Sequence, residues 1–300
     1  MHSSHVSSVG FRPLESKMLV SRLGYITLNV DDLAAAVELF EGPGQLQLNG
    51  RSENRAFLGG AGEHHWVELR QDPSRPTGLL KMAFEIDKAA VFEDVEKALA
   101  SAGVNFERSK NFREDFVREA VRFVDMDGTE VEIFRGMAGI AGGQQPKWAQ
   151  LERLLHVAVS ASDFDAALAF YSDVLGFGVS DFIEETTAFL HASDGAHHSL
   201  VLQRRPGAAR VVNHVCFQTQ SFDDVMRARA LVRRAGLELR DDLIRHETSG
   251  SIGFYFEGLP EGLGVEFCFE HGTVNPATHV PRTFVRTIRA KDVYEPPAGY

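Results

Sequence analysis

A chain of 300 residues, 44% hydrophobic and 24% charged, can bury one or two ordinary cores and reads as globular. Its formal net charge of −11 excludes a broad nucleic-acid footprint, which needs clustered Lys and Arg to displace counterions. No apolar run approaches the roughly 18 residues of a membrane span, Met1 to Lys17 lacks a signal-peptide core, and two cysteines, Cys216 and Cys268, are too few for a disulfide scaffold. The expected setting is the cytoplasm, with small-molecule partners, no nucleic acid and no membrane.

In chain order, residues 1–18 read as a flexible Ser- and His-rich leader, so His2 and His5 belong to a loose end rather than a metal site. Residues 19–138 form a first module. It opens with the strand and amphipathic helix of Leu23-Gly-Tyr-Ile-Thr-Leu-Asn-Val-Asp-Asp-Leu-Ala-Ala-Ala-Val-Glu-Leu-Phe40. It continues with a strand over 80–86 and a helix over 91–102, and closes with the strand Glu130-Val-Glu-Ile-Phe134. A Gly-rich stretch from Gly136 to Pro146 leads through the linker 139–149. Residues 150–272 repeat the order, with Leu154 to Tyr171 matching the opening segment, Val212 to Gln218 the middle strand, 222–235 the second helix and Gly264 to Cys268 the closing strand. Residues 273–300 are a tail placed to lie over a site or a neighbouring subunit.

An internal repeat of this period indicates a duplicated domain. Laid over one another, the halves put His156, His214 and Glu266 where the first half has Tyr25, Met82 and Glu132, at offsets of 131, 132 and 134 residues. Two imidazoles and one carboxylate can hold a divalent metal and leave positions open for substrate and dioxygen. Strand alternation places Leu155, Val157 and Val159 on one face and His156 on the other; His214 shares a face with Cys216, and Glu266 with Cys268 and Glu270. The ligands lie 58 and 52 residues apart, so no local metal motif supports them; the support is their common place in the repeat.

Residues 20–272, and the second module above all, resemble the type I extradiol ring-cleavage dioxygenases of the vicinal oxygen chelate superfamily, which also includes glyoxalases and bleomycin-resistance proteins. The resemblance is carried by Ala169-Phe-Tyr-Ser-Asp-Val-Leu-Gly-Phe177, His197-His-Ser-Leu-Val201, Asn213-His-Val215, Arg245-His-Glu-Thr-Ser-Gly-Ser-Ile-Gly-Phe-Tyr-Phe256 and Gly264-Val-Glu-Phe267. It implies an α+β fold of two tandem modules, each of paired βαβββ units in a mixed sheet curled around a cavity. It implies His156, His214 and Glu266 as ligands of iron(II), with manganese(II) as the alternative. It makes His198 the histidine that handles the proton of the bound oxygen species, and His246 and Tyr255 the pair that contacts substrate oxygens. The first module becomes the non-catalytic copy. The implied activity is cleavage of a catechol by dioxygen, the substrate being a simple catechol, a biaryl diol or a catechol acid, in a homo-oligomer.

Two departures accompany the resemblance. Glu257-Gly-Leu-Pro-Glu-Gly-Leu-Gly264 replaces the family's Asp-Pro-x-Gly turn, leaving Glu261 and Glu270 as alternatives to Glu266, and Thr248 stands where relatives often carry asparagine. His191 and His197 read as structural or exposed. Arg282, Arg286 and Arg289 read as a solvated basic end, with an acidic substrate group as the alternative partner. The rival readings are a metal-dependent isomerase, thiol transferase or hydrolase of the same superfamily, and a metal-free small-molecule binding protein.

Overall fold

A computed structural model describes residues 17–110, 115–205, 212–258 and 263–296. The fallback ligand Glu261, like His2 and His5, lies outside them.

The first half runs β1 (Val20–Asn29), α1 (Leu33–Glu41), β2 (Gln47–Arg51), β3 (Arg55–Gly59), β4 (Val67–Arg70), then β5 (Gly78–Ile86), α2 (Phe92–Ser101), β6 (Phe106–Ser109), β7 (Val117–Val124) and β8 (Glu130–Met137). The second runs β9 (Leu151–Ala161), α3 (Phe164–Ala169), β10 (Gly178–Ile183), β11 (Thr187–His191), β12 (Leu200–Arg204), then β13 (Val212–Thr219), α4 (Phe222–Arg234), β14 (Leu239–Arg245), β15 (Ile252–Glu257) and β16 (Gly264–Phe269). Each half is two βαβββ units in one mixed sheet. The strand orders are β2-β3-β4-β1-β5-β8-β7-β6 and β14-β15-β16-β13-β9-β12-β11-β10. A tail strand, β17 (Arg282–Phe284), extends the second sheet beside β10, and a turn of helix, α5 (Ile288–Lys291), follows it.

The helix starts repeat for a local reason. Asp32 and Asp163 each accept a hydrogen bond from a backbone N–H three residues on, at 3.0 Å, satisfying donors that a helix N-terminus leaves unpaired. Both helices turn an apolar face to their sheet, and the two modules share one continuous core. Trp66 of the first stacks on Phe217 of the second with ring centroids 6.2 Å apart, and Phe84 meets Phe177 edge-on at 5.2 Å. No helix among the described residues is long and apolar enough to cross a membrane.

Strict alternation fails at one point in β9. His156 pairs with Cys216 but Leu154 pairs with Phe217, so Leu155 is the extra residue of a bulge and joins Cys216 and Cys268 rather than Val157 and Val159. The same bulge recurs in β1 at Gly24, between Leu23↔Phe84 and Tyr25↔Ala83. A side chain there would meet the Phe134 ring at 2.3 Å, which accounts for the glycine.

Candidate metal centre

The second sheet is built around three adjacent strands. Cys216 of β13 sits opposite His156 of β9 and Glu266 of β16, and His214 lies one pleat along from Cys216 on the same face. The donor atoms converge: His156 Nε2 and His214 Nε2 are 2.9 Å apart, and Glu266 Oε2 lies 3.2 and 3.3 Å from them. All three residues are buried. Two imidazole nitrogens meeting head-on share at most one proton, and Glu266 Oε2 is buried without a hydrogen bond of good geometry. A divalent cation satisfies all three at once. Metal–ligand bonds of about 2.1–2.3 Å at right angles would give donor separations of roughly 3.0–3.3 Å, so the group fits.

The electrostatics favour the ligand forms. Burial pushes His214 down to about 4, so it is neutral at pH 7. Its Nδ1–H is held by the Asn213 side-chain oxygen at 2.8 Å, leaving Nε2 bare for a metal. Burial alone would raise the Glu266 carboxyl, but the flanking imidazoles carry it well below the usual carboxylate range. His156, His198 and His271 also bring donor atoms within 4.8 Å of one another. That set has no carboxylate, and His271 Nε2 already accepts the His198 backbone N–H at 3.3 Å.

The centre opens into a cavity of about 390 Å³, within the usual size of small-molecule sites. His198, His246 and Tyr255 all line it, with Phe189, Val201 and Ile183 as apolar wall. The Tyr255 hydroxyl and His246 Nε2 are 2.7 Å apart. His246 Nδ1 donates to the Lys291 carbonyl at 2.8 Å, so in the neutral ring Nε2 is an acceptor and Tyr255 donates to it. Burial, then the Glu266 charge, pushes the Tyr255 phenol well up, keeping it a donor. The tail closes one side: Arg286, Ala290 and Lys291 line the cavity, Arg282 pairs with Asp181, and Arg289 is exposed.

His191 and His197 are buried, the structural one of the two places the sequence allows them. Glu270 is half-exposed and pairs with Arg245, away from the imidazoles. Cys216 and Cys268 pack sulfur to sulfur at 3.4 Å behind Glu266. Asp181 and His271 join the site without a sequence motif to mark them, whereas Asn213 stands in the Asn213-His-Val215 passage, with no role assigned to it there.

The structural counterpart of His214 is Lys81, not Met82. Tyr25 pairs with Ala83 as His156 pairs with Cys216, and Thr27 pairs with Lys81 as Ala158 pairs with His214. Met82 faces the core, because a one-residue slip in a strand flips every side chain to the other face. The first module therefore holds Tyr25, Lys81 and Glu132. The Tyr25 hydroxyl donates to Glu132 at 2.7 Å, Arg122 bridges Glu132 at 2.6 Å and Asp115 at 2.7 Å, and the Lys81 ammonium lies 3.1 Å from Asp115 and 3.7 Å from Glu132. Fixed cations thus occupy the surroundings of the carboxylate.

Buried neutral histidines are expected to make the fold acid-labile. Burial lowers His191, whose Nε2 has no hydrogen-bond partner, to about 4. Its folded value lies below the unfolded one of about 6.5. The stability it contributes is therefore complete above that pH and is lost as pH falls toward 4, at up to about 1.4 kcal/mol per pH unit. Urea midpoints measured from pH 7 to pH 4.5 are expected to fall steadily, and less steeply in His191→Gln; equal slopes would remove His191 from the account.

The comparisons agree with this architecture. Residues 153–267 match the Glyoxalase/Bleomycin resistance protein/Dioxygenase superfamily. Several relatives matched over most of the chain's length are named as dioxygenases of catecholic compounds. Biphenyl-2,3-diol 1,2-dioxygenase of Pseudomonas sp. (strain KKS102) is 29% identical over 88% of this chain and 94% of its own. An iron-dependent extradiol dioxygenase of Rhodococcus jostii (strain RHA1) is 27% identical over 70% and 76%. Among solved structures, the Mn(II)-bound glyoxalase from Novosphingobium aromaticivorans shares the fold, with a TM-score of 0.81 at 24% identity over 92% of this chain and 91% of that one.

Proposed function

We propose that the protein is an extradiol dioxygenase that opens the ring of a catecholic substrate at one iron(II) ion held by His156, His214 and Glu266, with manganese(II) as the alternative metal. The observation that carries the reading is the convergence of these three donors at the edge of a cavity that His156 and His214 line together with His198, His246 and Tyr255. Two neutral imidazoles and one carboxylate are the ligand set of non-haem iron oxygenases.

A bound divalent iron supplies Lewis acidity toward the catechol oxygens and one-electron chemistry toward dioxygen. The protein's own part is to position and to move protons. Phe189, Ile183 and Val201 give the aromatic ring an apolar wall and exclude water. Tyr255, a donor, and His246 orient a substrate oxygen and support negative charge on it as reaction proceeds. Burial, then the neighbouring histidines, holds His198 well below the ordinary histidine range; it enters the cycle neutral, as a base at its cavity-facing nitrogen.

Oxygen uptake and a yellow product from catechol, 2,3-dihydroxybiphenyl or 3,4-dihydroxyphenylacetate, after anaerobic loading with iron(II), test this reading. Metal bound at one site per chain with no uptake from any catechol would move an isomerase or transferase ahead. That rival usually draws ligands from both modules, and Tyr25 and Lys81 are already committed to Glu132 and Asp115.

Arg240, Arg286 and Lys291 outnumber the single carboxylate Asp241 among the cavity-lining residues. Asp241 pairs with Lys291, whereas Arg286 is held by the hydroxyls of Thr186 and Thr187. Arg286→Ala is expected to raise KM for 3,4-dihydroxyphenylacetate about tenfold, the worth of one charge-assisted contact, with 2,3-dihydroxybiphenyl little affected. Equal effects on both substrates would exclude Arg286 as a carboxylate partner.

A further inference from the structure

The paired histidines occur twice. His64 Nδ1 lies 3.1 Å from His65 Nδ1 in the first module, and His197 Nδ1 lies 3.0 Å from His198 Nδ1 in the second. The ring planes cross at 88° and 83°. A pair kept where no metal triad exists is partly architectural, so the functional difference lies in what holds it. His64 stacks on Phe116 at 3.7 Å and is half-buried. His197 is buried and its Nε2 meets Asp181 Oδ2 at 2.9 Å. The first sheet has Gly50 at that place: Gly50 pairs with Phe57 as Asp181 pairs with Phe189, after the same bulge. Arg282 of β17, a strand without a counterpart in the first sheet among the described residues, grips Asp181 through both oxygens, at 3.0 and 2.6 Å, and through its backbone N–H at 2.9 Å.

We infer that Arg282, Asp181 and His197 form a chain that fixes the tautomer of His198, presenting its bare Nε2 to the cavity. The logic follows donors and acceptors in turn. Asp181 is fully buried yet carries two strong partners, which hold it below the usual carboxylate range against the effect of burial. A carboxylate accepts only, so the proton of neutral His197 is on Nε2. His197 Nδ1 is then bare, and His198 must donate to it through its own Nδ1–H. The second nitrogen of His198 is left as an acceptor, the form a general base requires. When His198 takes up a proton from substrate, its Nδ1–H stays bonded to His197, and the Asp181 charge faces the new cation through that ring. Asp181 and His197 are positioning residues; they line no part of the cavity. The tail thereby becomes part of the site, since Arg282 anchors the far end of the chain.

The functional consequence rests on the dioxygenase reading, but the tautomer does not. The test is long-range ¹⁵N–¹H correlation NMR on the full chain labelled at histidine, metal-free and loaded with zinc(II), with signals assigned by His197→Gln and His198→Gln. Wild-type His198 is expected to carry its proton on Nδ1 and His197 on Nε2; a proton on His198 Nε2 overturns the inference whatever the activity. In Asp181→Asn, whose amide can donate, His198 is expected to shift toward the opposite tautomer. Its kcat with 2,3-dihydroxybiphenyl is expected to fall about 10–100-fold at nearly constant KM. An unchanged tautomer and kcat in Asp181→Asn also overturns it. Should that variant not fold, the wild-type spectrum alone decides. Absence of oxygen uptake by the wild type counts against the dioxygenase reading and leaves the tautomer result standing.

Discussion

Glu266→Ala is expected to abolish metal retention and oxygen uptake together, the latter by about 10³-fold or more, equivalent to some 4 kcal/mol of barrier. The carboxylate is the one anionic donor of the set, and without it two neutral imidazoles hold a divalent ion weakly. Three readouts separate loss of the metal from loss of the fold. Metal analysis should fall from one ion per chain toward zero. Far-ultraviolet circular dichroism should stay unchanged, because a buried acidic group is removed without opening the apolar core beneath the sheet. Iron(II) or manganese(II) at a hundred times its dissociation constant should stabilise the wild type by about 2.7 kcal/mol and the variant not at all. Asn213→Ala provides the graded control. It removes only the oxygen that holds His214 Nδ1–H, and metal affinity should drop about 10–100-fold. A Glu266→Ala protein that still binds one metal per chain would disqualify the triad.

Lys81→Met is expected to destabilise the chain by about 3 kcal/mol, because it leaves Asp115 and Glu132 buried with part of their compensation removed. For a cooperative unit of this size that is a fall in Tm of roughly 5 °C. Activity per folded molecule should not change, since Lys81 lies in the first module, outside the proposed centre. Thermal melts of the wild type and of Lys81→Met decide it. A loss below about 1 kcal/mol would mean that Arg122, which bridges both carboxylates, suffices without the ammonium.

The order of strands and helices was legible because hydrophobic period and turn residues change together at each element, and because the whole pattern occurs twice. His156, His214 and Glu266 were legible as a set for the same reason, and the structure brings them together. Register was the weak point. Alternation assumes a pleat without insertions, and the bulge at Leu155 breaks it, so Leu155 was assigned to the wrong face; an offset of 132 residues in place of the structural 133 (214−81) matched Met82 to His214 instead of Lys81. The His64–His65 pair stood in plain view, yet its meaning depended on contacts. Asp181 gave no signal at all: it lies on a strand distant from the ligands in sequence, and its importance exists only where β10, β17 and the paired histidines meet.

The shared interior between the sheets, with Trp66 on Phe217 and Phe84 against Phe177, sets the thermodynamic unit of the molecule. Neither half can open without exposing the aromatic face of the other, so the two are expected to melt in a single cooperative step. The half without the metal triad is then no dispensable relic. Energy gained when an ion binds in one sheet is felt across both, and damage to the ion-pair cluster of the first lowers the temperature at which the second lets go.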